Sequence, residues 1–238
     1  MEICPALEAT LNLNREGALL AVTKVATPAS VRRLGEARLA RWLKSRGVRK
    51  SRVLAQHIVA AAKAQKCELP AAEVKAALVA EIALEVLRTR KRIAALDDRL
   101  EELLASNQRA PIVRSLPGMG TVFAAEFLAE VVGDMSRFNS ANDLAAAAGL
   151  APVVRASGSV SYQQRPKRGN RTLKRLLYRS AFCAISYHGA SQSFYRRKRT
   201  EGKTHHQAMI ALARRRVNVL WAMLRNGSPY SEQSSEAA

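Results

Sequence analysis

An apolar repeat in the middle of the chain limits its fold more than any other feature. Val79, Ile82, Val86, Thr89, Ile93, Leu96, Leu100 and Leu103 are spaced by three and four in alternation. That spacing puts them on one stripe of an α-helix, as in a coiled-coil seam with one polar interruption. Glu85, Arg90, Arg92, Arg99 and Glu102 flank the stripe. Pro70 is placed to open this helix in its first turn, and a helix over 71–107 would extend about 55 Å at about 1.5 Å per residue. Such a rod calls for helices packed along it or a second copy paired with it, and the seam points to self-association. The stripe is only about three and a half heptads long, so packing on its own domain's core stands as the alternative. Aromatics are 5% of the 238 residues and Ala and Leu are abundant, a balance that favours helices over a β-sandwich.

The predicted fold is therefore mainly α, in three parts. Residues 1–69 form a basic helical region, with helices around 28–34 and 36–46, the latter ended by Gly47, and a third capped by Ser51 through about Gln65. Residues 70–108 form the long coiled-coil helix. Residues 109–230 form a helical C-terminal domain. Within it the expectations are a helix-hairpin-helix at about 110–134, a short helix capped by Ser140 and stopped at Gly149, and a β-hairpin over 151–164. Basic helices over 170–226 follow, capped by Asn170 and Thr204 and with one starting at Ser191. The hairpin is the only stretch with strand character: Val153, Val154, Val160 and Tyr162 lie either side of Ser157-Gly158. The tail 231–238 is polar and expected to be disordered.

Charge divides the chain along similar lines. The net formal charge is +20, a balance that implies a polyanionic partner, most simply nucleic acid. Residues 1–66 hold 13 basic and 4 acidic groups, net +9, while residues 67–134 hold 8 and 11, net −3. Residues 151–238 hold 17 and 3, net +14. Nine basic side chains fall between Arg32 and Arg52 with only Glu36 among them. No run of 18 apolar residues is present to span a membrane, and no leader pattern is visible in MEICPALEATLNLNREG. Cys4, Cys67 and Cys183 are too far apart for a zinc or disulfide framework, which fits a reducing cytoplasm.

Three constellations carry chemistry. The first is Leu116-Pro117-Gly118-Met119-Gly120-Thr121, a loop ahead of an apolar helix. Glycine turns there would direct backbone N–H groups and a helix N-terminus at one point, a geometry suited to a phosphate, with Gly118, Gly120 and Thr121 as the contacts. A plain tight turn is the alternative. The second is a run without an acidic residue: Arg155, Arg165, Lys167, Arg168, Arg171, Lys174, Arg175 and Arg179. The last four recur at spacings of three and four and so share a helix face. Such a face binds DNA or RNA phosphates with strong salt dependence. The third is Ser157 in RASGSVS, with Ser159 as the lesser candidate. A serine at a turn is ordinary turn chemistry, but among arginines it could act as a nucleophile whose charge they stabilise. The carboxylate pairs Asp97/Glu101 and Asp98/Glu102 are expected to be solvated positions on the long helix, and no metal site is expected in the chain.

The segments SLPGMGTVFAAEFLAE, AGLAPVVRASG, RPKRGNRTLKRLLYRSAFCAIS and SFYRRKRTEGKTHHQAMIALARRRVNVLWAML occur in this order. Together they resemble insertion-sequence transposases of the IS110, IS116 and IS902 type, with the similarity running from about residue 5 to 230. TPASVRRLGEARLARWLKSRGVRK is similar to the linker region of that family. The resemblance implies transposition by site-specific DNA recombination, guided in many members by an element-encoded structured RNA. It implies a C-terminal domain whose serine attacks DNA to form a phosphoserine intermediate, and it matches that serine to Ser157. Many relatives have an acidic residue just before this serine, where this chain has Ala156. The family's RuvC-like domain, with four acidic residues binding Mg²⁺, has no counterpart among Glu2, Glu8, Glu16 and Glu36 of the first 66 residues. The expectation is therefore a chain that lacks that domain and does not complete strand exchange alone. A regulatory remnant or a non-enzymatic helix-hairpin-helix protein that binds nucleic acid is the alternative.

Overall fold

A computed structural model describes residues 5–65, 71–131, 135–151, 153–157, 160–164 and 169–232, with the backbone alone for 153–157 and 160–164. Cys4, Cys67, Pro70, Ser159, Arg165, Lys167, Arg168 and the tail beyond Glu232 lie outside the described residues. The chain divides into two compact units, residues 1–95 and 96–238.

The first unit begins with α1 (Pro5–Thr10), α2 (Glu16–Lys24), α3 (Pro28–Leu34), α4 (Glu36–Lys44) and α5 (Ser51–Ala64). Local chemistry sets the boundaries. Thr27 and Ser30 form a reciprocal capping box, with Pro28 at the first helical position. Gly47 takes φ +81° in the turn after α4, a conformation that costs other residues energy. Ser51 does not cap α5 as expected. It is the first helical residue and is buried, and Lys50 holds the cap position without a side-chain bond. Leu39 and Leu43 of α4 and Ala55, Ile58 and Ala62 of α5 face each other in a dry core with Val31 and Leu7. Each fully buried Leu or Ile in such a core contributes roughly 1.5–3 kcal/mol of transfer free energy.

The long helix, α6 (Ala72–Ala105), is continuous for 34 residues. Within the first unit it buries Ala83 and Leu87 against Leu19 and Val22 of α2, with Val79 and Val86 half-buried beside them. The rest of the heptad stripe is largely uncovered: Ile82, Ile93, Leu96 and Leu103 are each more than half exposed. The stripe is therefore not the face by which α6 packs on its own chain. That face is shifted by one position, to Ala83, Leu87 and, in the second unit, Leu104.

The second unit continues with α7 (Ala110–Ser115), α8 (Thr121–Glu130), a 3₁₀ turn at Met135–Arg137 and α9 (Ala141–Ala147). Strands β1 (Val153–Ser157) and β2 (Val160–Gln164) pair antiparallel, followed by α10 (Arg171–Ile185), α11 (Gly189–Thr200) and α12 (His205–Asn226). Ser140, Asn170 and Thr204 cap their helices through the side chain. Helix α11 starts two residues before the expected Ser191, because the His188 ring nitrogen accepts the Ser191 N–H and so serves as the cap. The core joins Met119, Phe127, Leu144, Leu173, Leu176, Leu177, Met209, Leu212 and Leu220. Among the described residues no helix is long and apolar enough to cross a membrane.

Candidate nucleic-acid interface

The loop between α7 and α8 is fixed by its neighbours more than by its own sequence. Buried Met119 anchors it in the core. Gly118 takes φ +80°, and a Cβ there would lie 2.3 Å from the Ser180 carbonyl oxygen and 3.0 Å from the Ala184 amide of α10. Its N–H donates to the Tyr187 hydroxyl. The sequence-based reading aimed this amide at a phosphate; the structure gives it to a tyrosine, because α10 passes against the loop. Gly120 has open space around it and is the N-cap of α8. Arg216 of α12, 4% exposed, donates through Nη2 to the Pro117 carbonyl and, over 2.6 Å, to the Ser180 hydroxyl. Burial pulls its pKa down to about 10, against the smaller opposing influence of Tyr187, Tyr230 and Cys183, so it keeps its charge at neutral pH. Among the described residues no carboxylate pairs with it, and its Nε has no hydrogen-bond partner.

The first turn of α8 already holds an anion. Thr121 donates its hydroxyl to Glu101 Oε1 over 2.5 Å, and Arg114 grips the same carboxylate through Nη1 and Nη2, at 2.6 and 3.1 Å. Glu101, expected to be solvated on α6, is indeed exposed, and it is paired at the helix end whose dipole favours negative charge. The hydrogen bond from Thr121, together with Arg114 and against some desolvation, holds this carboxyl below its ordinary 4.5. Asp97, Glu101, Thr121, Phe123, Cys183 and Tyr187 line an open cavity of about 480 Å³ beside Gly118 and Gly120.

The basic face of α10 is also partly neutralised in a way the local sequence does not show. Arg175 bonds Glu126 of α8 at 2.8 Å, and the Asn170 side chain donates to Glu130 of the same helix. The Arg179 guanidinium lies 5.5 Å from the Phe123 ring centroid, within range of a cation–π contact. Arg171 is exposed and Lys174 half-exposed, and neither makes an ion pair among the described residues. The structure thus brings Arg171, Lys174, Arg175 and Arg179 together on one helix, with Arg171 and Lys174 left uncompensated.

The strand pair starts from a tight base. Asn170 N–H donates to the Ala147 carbonyl at 2.7 Å, and a Cβ on Gly169 would sit 2.7 Å from the Gly149 amide. From there Val153 pairs with Gln164, Arg155 with Tyr162 and Ser157 with Val160. The Ser157 backbone therefore occupies the rung farthest from the base. Sequence reasoning counted Arg216, in the run Arg214–Arg216, with the basic surface that meets a polyanion, whereas the structure buries it; it did not pick out Ser180, Tyr187 or Glu101 as site residues. The run alone does not show which of its members the packing turns inward.

The model of the Transposase IS116/IS110/IS902 family matches residues 110–196, which include the α7–α8 loop, the strand pair and α10 but not Glu101 or Arg216. The insertion element IS900 uncharacterized 42 kDa protein of Mycobacterium paratuberculosis is 43% identical over 99% of the chain and 60% of its own length. The insertion element IS116 uncharacterized 44.8 kDa protein of Streptomyces clavuligerus is 43% identical over 94% of the chain and 56% of its own length. A pilin gene-inverting protein of Moraxella lacunata is 32% identical over 55% of the chain and 41% of its own length. The chain therefore spans less than two thirds of the length of each of these relatives.

Gly118→Ala is expected to destabilise the chain by about 2–4 kcal/mol, combining overpacking against α10 with the positive φ; the midpoint of urea unfolding measures it, and an unchanged midpoint contradicts the close approach. For Glu101, a depressed carboxyl pKa means that the folded chain binds fewer protons than the unfolded one. Its stabilisation is complete above about pH 4.5 and fades as the pH falls further. Glu101→Gln should flatten the acid limb of the stability profile in that window and leave its slope near neutral pH unchanged, as read by denaturation midpoints across the pH range.

Proposed function

We propose that this chain, whose residues 110–196 match the model of the Transposase IS116/IS110/IS902 family, binds DNA in the site-specific transposition or inversion of a DNA segment. The observation that carries the reading is the α10 face, where Arg171 and Lys174 stand uncompensated next to the base of the strand pair that bears Ser157. Arg155, Arg165, Lys167 and Arg168 belong to the same basic stretch in sequence and are further phosphate contacts in this proposal. Phosphates neutralised there release counterions, so binding weakens steeply with salt. The Gly120–Thr121 end of α8 is a further phosphate contact in this proposal, in the manner of a helix-hairpin-helix. A phosphate reaching it competes with the Glu101 carboxylate already bonded to Thr121.

Ser157 is the proposed nucleophile. Its hydroxyl oxygen attacks a DNA phosphorus, an O–P bond forms to the serine as the bond to the leaving strand's oxygen breaks, and the serine proton passes to base or solvent. Neighbouring arginines stabilise the charge on the non-bridging oxygens. Among the described residues no three His, Cys, Asp or Glu side chains converge. A structured guide RNA is a second polyanion that the same basic surface would accept. Self-association through the exposed Ile82, Ile93, Leu96 and Leu103 stripe completes the proposal.

Incubated with DNA carrying the ends of the insertion element, the chain is expected to give a covalent protein–DNA adduct on denaturing gels. The adduct should be absent from Ser157→Ala and retained in Ser159→Ala; an adduct that persists in Ser157→Ala removes Ser157 from the chemistry. Leu96→Glu combined with Leu100→Glu should lower the mass measured by light scattering to that of one chain. An unchanged mass would show that the stripe is not the seam.

A further inference from the structure

The first unit carries a charged surface that the proposal above does not use. Between α4 and α5 lies a groove of about 970 Å³, far larger than one small anion fills, whose walls include Arg41, Lys44, Arg49, Lys50 and Arg52. All five are exposed, and none makes a side-chain hydrogen bond or ion pair among the described residues. Glu36 is the one carboxylate on the wall. Five uncompensated cations held this close repel one another, which a polyanion relieves.

Helix α5 adds a second, independent observation. Its inner face, Ala55, Ile58, Val59 and Ala62, packs into the core. Its outer face presents Arg52, Gln56, Ala60 and Lys63, all exposed, at spacings of four, four and three. This stripe has no acidic residue, and a small side chain in its middle permits close approach. Arg and Gln are the side chains that read guanine and adenine edges in a major groove.

We propose that the α4–α5 groove is a second nucleic-acid site, specific for B-form DNA, in which Arg41, Lys44, Arg49 and Lys50 hold backbone phosphates while α5 offers Arg52 and Gln56 to base edges. Duplex DNA is the occupant because a B-form major groove admits a helix, whereas the A-form major groove of duplex RNA is too deep and narrow. The site depends neither on Ser157 nor on the α10 face.

The test is fluorescence anisotropy of the full chain with a labelled DNA duplex, and with an RNA duplex of the same sequence, across a salt series. Arg41→Ala, Lys44→Ala, Arg49→Ala and Lys50→Ala are combined in one variant. It is measured in the wild-type background and together with Arg171→Ala and Lys174→Ala, so that failure of the α10 interface is scored separately. The four substitutions are expected to weaken DNA binding by roughly tenfold or more at moderate salt in both backgrounds. They should also make the slope of log affinity against log salt shallower by about 3–4, near 0.9 for each phosphate no longer neutralised. The charge-keeping pair Arg41→Lys and Arg49→Lys should retain the wild-type slope, which separates charge from fold. Arg52→Ala with Gln56→Ala should narrow the spread of affinities across a pool of duplex sequences. An unchanged slope in both backgrounds overturns the site, and so does an equal weakening for RNA without a preference for DNA. An unchanged spread overturns the base-reading role of α5.

Discussion

Arg216 extends from the middle of α12 into the core of the second unit and donates to the Pro117 carbonyl and the Ser180 hydroxyl, joining the α7–α8 loop, α10 and α12 at one guanidinium. Gly118 makes that junction possible, since any side chain there would occupy the space of the Ser180 carbonyl. A buried charge with no carboxylate partner is costly unless its hydrogen bonds are well made. Here a carbonyl and a hydroxyl satisfy part of the guanidinium and Nε stays unpaired. The orientation of α8, and with it the position of Glu126 and Glu130 against α10, follows from how this junction holds the loop.

Charge compensation then decides which cations remain available. In the second unit Glu201 pairs locally with Arg197, Lys198 and Lys203, but other acidic partners come from elements distant in sequence: Glu101 of α6 meets Arg114 and Thr121, and Glu126 of α8 meets Arg175. Surface pairs of this kind add little to stability, but they remove specific cations from any polyanion interface. Among the described residues Arg171 and Lys174 are left over on α10, and Arg41, Lys44, Arg49, Lys50 and Arg52 are left over in the first unit. These two uncompensated sets, more than the total of +20, are where a phosphate backbone gains most from contact.

Most of the helices were legible because their signals are local. Thr27-Pro28, Ser140, Asn170 and Thr204 mark helix starts through caps that need only the adjacent backbone, and the structure keeps all of them. The short α1 and α2 lacked such a signal: the cap position of α2, Arg15, makes no side-chain bond. Ser51 and Ser191 misled because a serine near a helix start can equally be a buried first-turn residue, and packing makes that choice. The basic character of α10 was visible in its spacing, whereas the pairing of Arg175 was not, since Glu126 lies 49 residues away.

By itself the sequence determined a mainly helical chain, the extent of the long α6, the segregation of positive charge toward both ends and the likeness of residues 110–196 to the Transposase IS116/IS110/IS902 family model. These properties rest on periodicity, local capping and residue order, none of which requires knowing what packs against what. Only the tertiary structure decided that the Gly118 amide serves Tyr187, that Glu101 occupies the start of α8, that Arg216 is interior while Arg171 is not, and that α6 packs one position away from its heptad stripe. Each of these depends on contacts between residues far apart in the chain, and burial and charge pairing at such contacts are set by the packed arrangement as a whole.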